Sequence, residues 1–179
     1  MNNFTFYTTD NATGDAKDIL DKVQNKYGFV PNLFGYMAEA PYTIDAYAYM
    51  TNLLGKTDLT PAQQQIALLA VSHYHDCKFC ALAHRAFGKA SNSNAQTMLA
   101  IVSGKKIEDE KDRAIVDMIN ATLENRGWVD DEHLNAFYAA GFTKRNVYDL
   151  ILIISIKTLS NYSNHLTKPE PNSEIISML

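Results

Sequence analysis

Nowhere in this chain do apolar and polar residues alternate over a run bounded by turn signals. Instead, apolar residues recur at helical spacing between capping residues and glycines along nearly its whole length. That pattern predicts an all-α protein. The spacing gives an amphipathic helix from about Asp15 to Tyr27, with Ile19, Leu20 and Val23 inward and Gly28 as its stop. Pro31 suits the first turn of a short helix through Phe34, Met37 and Ala38, and Pro41 opens another that stops at Gly55. Thr60-Pro61-Ala62-Gln63 combines a capping threonine, a proline at the first helical position and the glutamine of a capping box. The helix it starts carries Ile66, Leu69, Ala70 and His73 on one face, which predicts a packed core histidine at 73. Asp76 is expected to cap the next helix and to place Cys77 in its first turn. Ser91-Asn92-Ser93-Asn94 interrupts the pattern. Further helices are expected from about Ala95 to Ser103, Glu110 to Glu124 and Glu132 to Ala139, with Gly104, Gly127 and Gly141 where a C′ glycine belongs. Thr143 caps a long last helix reaching about His165, and Pro169 marks a polar tail.

With no linker or low-complexity segment, one helical domain over residues 1–179 is the simplest organisation. Residues 60–80 can be laid on 143–163 without a gap. Both segments begin with a threonine cap and end in small-x-aromatic-small, Cys77-Lys78-Phe79-Cys80 in the first and Ser160-Asn161-Tyr162-Ser163 in the second. A duplicated helical unit or chance similarity between two amphipathic helices both account for this. The net charge of −4 gives no sign of a nucleic-acid partner. The longest apolar run, Leu150 to Ile154 resuming at Ile156, is too short to span a bilayer and is flanked by Lys144, Arg145, Asp149 and Lys157. The polar, acidic start of the chain lacks the pattern of a signal peptide, so the expected location is the cytoplasm. The apolar stretch Leu150 to Ile156 suggests burial from several sides, and with it association of identical subunits.

The chemistry concentrates in Asp76-Cys77-Lys78-Phe79-Cys80-Ala81-Leu82-Ala83-His84, which holds the only two cysteines of the chain. Two cysteines in a chain this long do not make a secreted disulfide framework; a Cys-x-x-Cys pair points to redox chemistry or metal binding. Only a thiolate attacks a peroxide efficiently, and a second thiol rescues the oxidised sulfur as an internal disulfide. A free thiol is only about 3% thiolate at neutral pH. A helix N-terminus favours the anion, and His84, at i,i+4 from Cys80, can take the proton of its sulfur. Attack on a hydroperoxide would give a sulfenic acid and an alcohol, and an external dithiol would reduce the disulfide that follows. Two other readings stay open: an inert pair of buried cysteines, and a zinc site drawn from His73, His75, Cys77, Cys80 and His84. No cofactor is expected. His133 reads as solvated surface, Trp128 and the tyrosines as core or interface, and His165 as a helix C-terminal cation or part of a pocket with Asn161 and Asn164.

Residues 60–72, followed by Cys77-Lys78-Phe79-Cys80 and His84, resemble the core of the alkyl hydroperoxidase D and carboxymuconolactone decarboxylase superfamily. The resemblance extends upstream to Phe29-Val30-Pro31-Asn32-Leu33-Phe34. Downstream it takes in Asn161-Tyr162-Ser163-Asn164-His165-Leu166, a segment typical of the peroxidase-related branch. It implies an all-helical bundle with an internal repeat, assembled into oligomers, and a thiol-dependent peroxidase that needs no metal. Carried over, Cys80 would be the peroxidatic cysteine, Cys77 the resolving one and His84 a member of the proton relay. The family pattern has a glutamate twelve residues before the first cysteine, where this chain has Gln65, and some members carry a histidine where Phe79 stands. Glutamine cannot accept and return a proton. His75, near the helix junction, is the candidate to substitute. Loss of the relay leaves two alternatives: a redox-inactive oligomer binding a small ligand, or a lactone decarboxylase-like enzyme with His84 as base.

Overall fold

The helix start at Thr60 forms as its residue types require. In the computed structural model, which describes residues 3–179, the Thr60 hydroxyl accepts from the Gln63 N–H at 3.2 Å. The Thr60 N–H in turn donates to Gln63 Oε1 at 3.0 Å. Such a cap contributes about 1 kcal/mol. The helices run α1 Gly14–Tyr27, α2 Asn32–Met37, α3 Pro41–Leu53, α4 Pro61–Tyr74, α5 Lys78–Ala90, α6 Ala95–Ser103, α7 Glu110–Glu124, α8 Asp131–Ala139, α9 Lys144–Thr167 and α10 Ser173–Ile176. A short 3-10 turn, Leu54–Lys56, follows α3. Among the described residues there is no strand. The protein is all-α, as its patterning predicts.

Helix α4 is the axis of the bundle. Residues Ile66 to Ser72 are all buried, and α5, α6, α7 and α9 pack around them. A helix walled in on every side has no apolar stripe, so His73 cannot be placed by extending one. It is exposed, not in the core as expected. The core around α4 takes in Ile115 and Ile119 of α7, Phe137 of α8, and Leu150, Ile153 and Ile156 of α9. A second cluster, built from Leu20 and Val23 of α1, Phe34 and Met37 of α2, and Ile44 of α3, leans on the other end of α9.

The junction of α4 and α5 differs from the expected one. Asp76 does not cap α5. It sits in the left-handed region (φ 53°), its N–H donates to the His73 carbonyl at 2.9 Å, and the Cys77 N–H donates to the Ser72 carbonyl at 2.9 Å. This is a Schellman closure with aspartate where glycine is usual, so α4 ends and Cys77 itself becomes the N-cap of α5. The echo in α9 lacks this break. Thr143 closes a capping box with Asn146, but the helix then continues straight through Ser160 and Ser163. The likeness of the two segments is thus in their capped starts.

Helix α9 buries Leu150, Ile153 and Ile156 and leaves another face open. Ile151 is 40% exposed, and Tyr148, Tyr162 and Leu166 lie open on the same helix. The stretch read as a polar tail contains α10, which packs on α5 through Ile175. Before α10, Asn172 ties this segment to the start of α2. Its Oδ1 accepts from the Asn32 N–H at 2.8 Å, and its Nδ2 donates to the Val30 carbonyl at 3.2 Å. No helix among the described residues is long and apolar enough to cross a membrane.

Candidate active site

Capping α5 with Cys77 puts Cys80 one turn in, on the face that turns toward α9. Both cysteines are 2% exposed, and they approach to 2.9 Å without being bonded. Opposite them, α9 presents a polar stripe at i, i+4, i+7: Lys157, Asn161 and Asn164, at 1%, 0% and 5% exposure. Asn164 Nδ2 donates to the Cys80 sulfur at 3.0 Å and stands 3.7 Å from that of Cys77. The Lys157 ammonium lies on the same side, where its charge favours the Cys80 anion. Neither side-chain atom of the Asn161 amide has a hydrogen-bond partner among the described residues.

These contacts divide the pair. Cys77 keeps its proton and donates it to the Cys80 sulfur. That bond, and then the Lys157 charge and the Asn164 amide, outweigh burial and bring Cys80 down to about 5. The same bond, burial and the negative charge on Cys80 push the Cys77 thiol far up. Cys80 is thus the thiolate of a pair holding one proton. A depressed value means that the anion persists above about pH 5 and is lost as pH falls through it. We expect Cys80 alkylation by iodoacetamide to hold a constant rate from pH 8 to 6 and to drop tenfold per unit below about 5, followed by peptide mapping.

An apolar cavity of about 380 Å³ opens onto this thiolate, walled by Phe29, Phe34, Phe79, Phe87 and Ile175. Cys80, Lys157, His84, Gln65, Tyr47, Tyr27 and Thr51 supply its polar groups, and Cys77 does not reach it. His84 is buried, and its Nδ1 lies 3.0 Å from Gln65 Oε1. An amide oxygen can only accept, so the ring hydrogen sits on Nδ1 and Nε2 keeps its lone pair. Burial, and then the Lys157 charge, hold His84 well below the usual histidine range, so it is neutral. Gln65 therefore orients an imidazole in this site. The bonds to the Cys80 sulfur come from Cys77 and Asn164, while the bond of His84 goes to Gln65. His75 stands outside the cavity, with its ring 5.1 Å from that of Tyr162, and burial lowers it. His165 and Trp128 are exposed, and His133 pairs with Asp130 at 2.7 Å on the surface. No three His, Cys, Asp or Glu side chains gather as a metal site among the described residues.

The arrangement of helices recurs in solved structures. The chain superposes on the alkylhydroperoxidase AhpD core of an uncharacterized peroxidase-related protein from Ralstonia eutropha JMP134, with a TM-score of 0.81 and 23% identity over 96% of this chain and 93% of that one. This is an AhpD-like fold. An uncharacterized peroxidase-related protein from Silicibacter sp. TM1040 follows it with a TM-score of 0.76 and 20% identity over 93% of this chain and 89% of that chain. The debrominase Bmp8 shares the fold at a TM-score of 0.75 and 16% identity, covering 99% of this chain and 96% of its own. No protein-family description matches the sequence. No curated protein matches it either. Within the AhpD-like fold, Lys157 and Tyr47 are the site residues that sequence reasoning missed. The available signal was a lysine continuing the buried Leu150–Ile153 phase of α9 into Asn161 and Asn164.

Proposed function

We propose that this protein is a thiol-dependent peroxidase that reduces alkyl or hydrogen peroxides through Cys80 and Cys77. The observation that carries the reading is that Cys80 alone of the pair lines the cavity, with Cys77 behind it in contact. A hydroperoxide entering the cavity meets the Cys80 sulfur first. The sulfenic acid it leaves is within reach of the Cys77 thiol, which closes the disulfide with little movement of either helix. His84, neutral and oriented by Gln65, contributes a lone pair on Nε2 to the cavity. An external dithiol or disulfide-reducing protein supplies the electrons, in keeping with a reducing cytoplasm. The open Tyr148, Tyr162 and Leu166 face of α9 supports association of identical subunits.

A second reading draws on the aromatic walls of the cavity and the debrominase among the structural neighbours. The same thiolate could take bromine from a halogenated aromatic ring while the ring carbon takes a proton, and Cys77 would then displace bromide. The deciding experiment treats the reduced protein with tert-butyl hydroperoxide or with 2,3,4-tribromopyrrole, the ligand bound in a Bmp8 structure. Free thiols, alcohol and bromide are then counted. Loss of both thiols with one alcohol per Cys77–Cys80 disulfide is the expected result. Thiols that survive excess peroxide would end the peroxidase reading, and bromide released with disulfide formation would put the second in its place.

A further inference from the structure

Lys157 is 1% exposed, deep in α9, and no carboxylate lies within 4.0 Å of it among the described residues. A buried ammonium without a carboxylate is rare and destabilising on its own. The groups that offset it are Cys80, Tyr47 and Cys77, and of these Cys80 and Tyr47 line the same cavity as Lys157. The other cavity groups are poor proton donors toward a leaving oxygen. Gln65 cannot exchange a proton as an acid does, the Thr51 hydroxyl is a far weaker acid than an ammonium, Tyr27 is exposed, His84 is neutral with its Nδ1 hydrogen held by Gln65, and the buried Tyr47 hydroxyl is held above its usual range by burial. Burial acts on Lys157 in the opposite sense: it lowers the ammonium, which is held above its usual range chiefly by the Cys80 charge, so an attack that consumes this charge leaves burial to release the proton.

We propose that Lys157 is the acid of the site: it donates the Nζ proton to the oxygen expelled when Cys80 attacks a hydroperoxide, doing the work that the missing carboxylate relay would do. This rests on the peroxidase reading above. In the first step the Cys80 S–O bond forms and the O–O bond breaks. The sulfur is oxidised to a sulfenic acid, the distal fragment is reduced to an alcohol, and the proton passes from Nζ to that alkoxide. A neutral amine then faces a neutral sulfenic acid, and no unpaired charge is left in the core. Condensation with the Cys77 thiol forms the S–S bond and releases water. An external dithiol later gives up two electrons and two protons. One proton restores the Cys77 thiol and the other the Lys157 ammonium, while Cys80 returns as the thiolate. Thiolate and ammonium are thus lost together and regained together.

The balance makes a sharp prediction. If Lys157 donates, forming the disulfide with one equivalent of tert-butyl hydroperoxide takes up no proton from solvent near pH 7. If Lys157 stays charged, one proton is taken up per disulfide. The titrating groups facing Lys157 or its sulfur partner are Cys77, Cys80, Tyr47, His75 and His84, and all are present in either case. The measurement is dye-reported proton uptake in weak buffer, beside thiol counts, on the wild type, Lys157→Arg and Lys157→Met. Arginine keeps the charge but cannot release its proton. Lys157→Arg should keep the thiolate absorbance near 240 nm, slow the first thiol loss by about a hundredfold or more, and take up one proton per disulfide. Lys157→Met should lose the thiolate absorbance at pH 7 and react at least as slowly, without a lower melting temperature. One proton taken up by the wild type, or Lys157→Met reacting at the wild-type rate, would overturn the assignment while leaving the peroxidase reading intact. Failure of the wild type to form the disulfide at all would remove that reading first.

Discussion

Cys80→Ser is expected to abolish peroxide turnover, with a fall of at least about a thousandfold, while Cys77→Ser retains a single rapid event and then stops. The two outcomes differ because the two sulfurs differ. Cys80 lines the cavity and carries the negative charge, whereas Cys77 is walled off and keeps its proton. A serine hydroxyl at 80 remains protonated at any working pH and is no nucleophile toward a peroxide oxygen. With serine at 77, the Cys80 sulfur is still held by Asn164 and Lys157, so it is oxidised once and accumulates as a sulfenic acid. Rapid-mix peroxide consumption with dimedone trapping and mass mapping checks both. A sulfenic acid on Cys77 in the Cys80→Ser protein, formed at the wild-type rate, would reverse the roles.

The second large effect is on stability and lies away from the chemistry. Phe137→Ala is expected to cost about 3–5 kcal/mol. Phe137 is 1% exposed and stacks on Phe142 with ring centroids 4.5 Å apart and planes 8° from parallel. It belongs to the core around α4, and truncation removes the stacked contact as well as the apolar area. For a chain of 179 residues this amounts to a fall in Tm of roughly 8–13 °C, read by calorimetry. No residue of α6, α7 or α8 lines the cavity, so the folded fraction should form the Cys77–Cys80 disulfide at an unchanged rate. A variant that melts within 2 °C or so of the wild type would mean that the site collapses around the lost ring far better than most.

What could be read in the sequence was punctuation. Thr60 with Pro61 and Gln63, Thr143, and the glycines at 28, 104, 127 and 141 mark helix ends wherever the signal is a cap or a left-handed turn, and the last four all have positive φ. The junction at 76 was misread because aspartate is a favoured N-cap and only occasionally fills the left-handed position of a Schellman closure. His73 was misplaced because α4 is buried all round and offers no phase to extrapolate. Lys157 was invisible for a related reason: at the end of an apolar run a lysine reads as a flank, and its burial depends on α5 crossing α9, a tertiary fact. Cys80 and His84 of the Cys-x-x-Cys-x-x-x-His segment line the cavity, but Asn164, which donates to the Cys80 sulfur, comes from a helix more than seventy residues away.

The stitch between Asn172 and the Val30–Asn32 segment joins positions some 140 residues apart, yet it secures only a four-residue helix and its neighbours against the cavity. Breaking it exposes Ile175 and the outer aromatic wall while α4 and its surrounding helices stay folded. In hydrogen-exchange terms, we expect amides of residues 173–178 to exchange as a small sub-global opening unit, well before those of α4. Ile175 and Met178 line the cavity, so fraying of this one short segment would widen the way to Cys80 without unfolding the bundle.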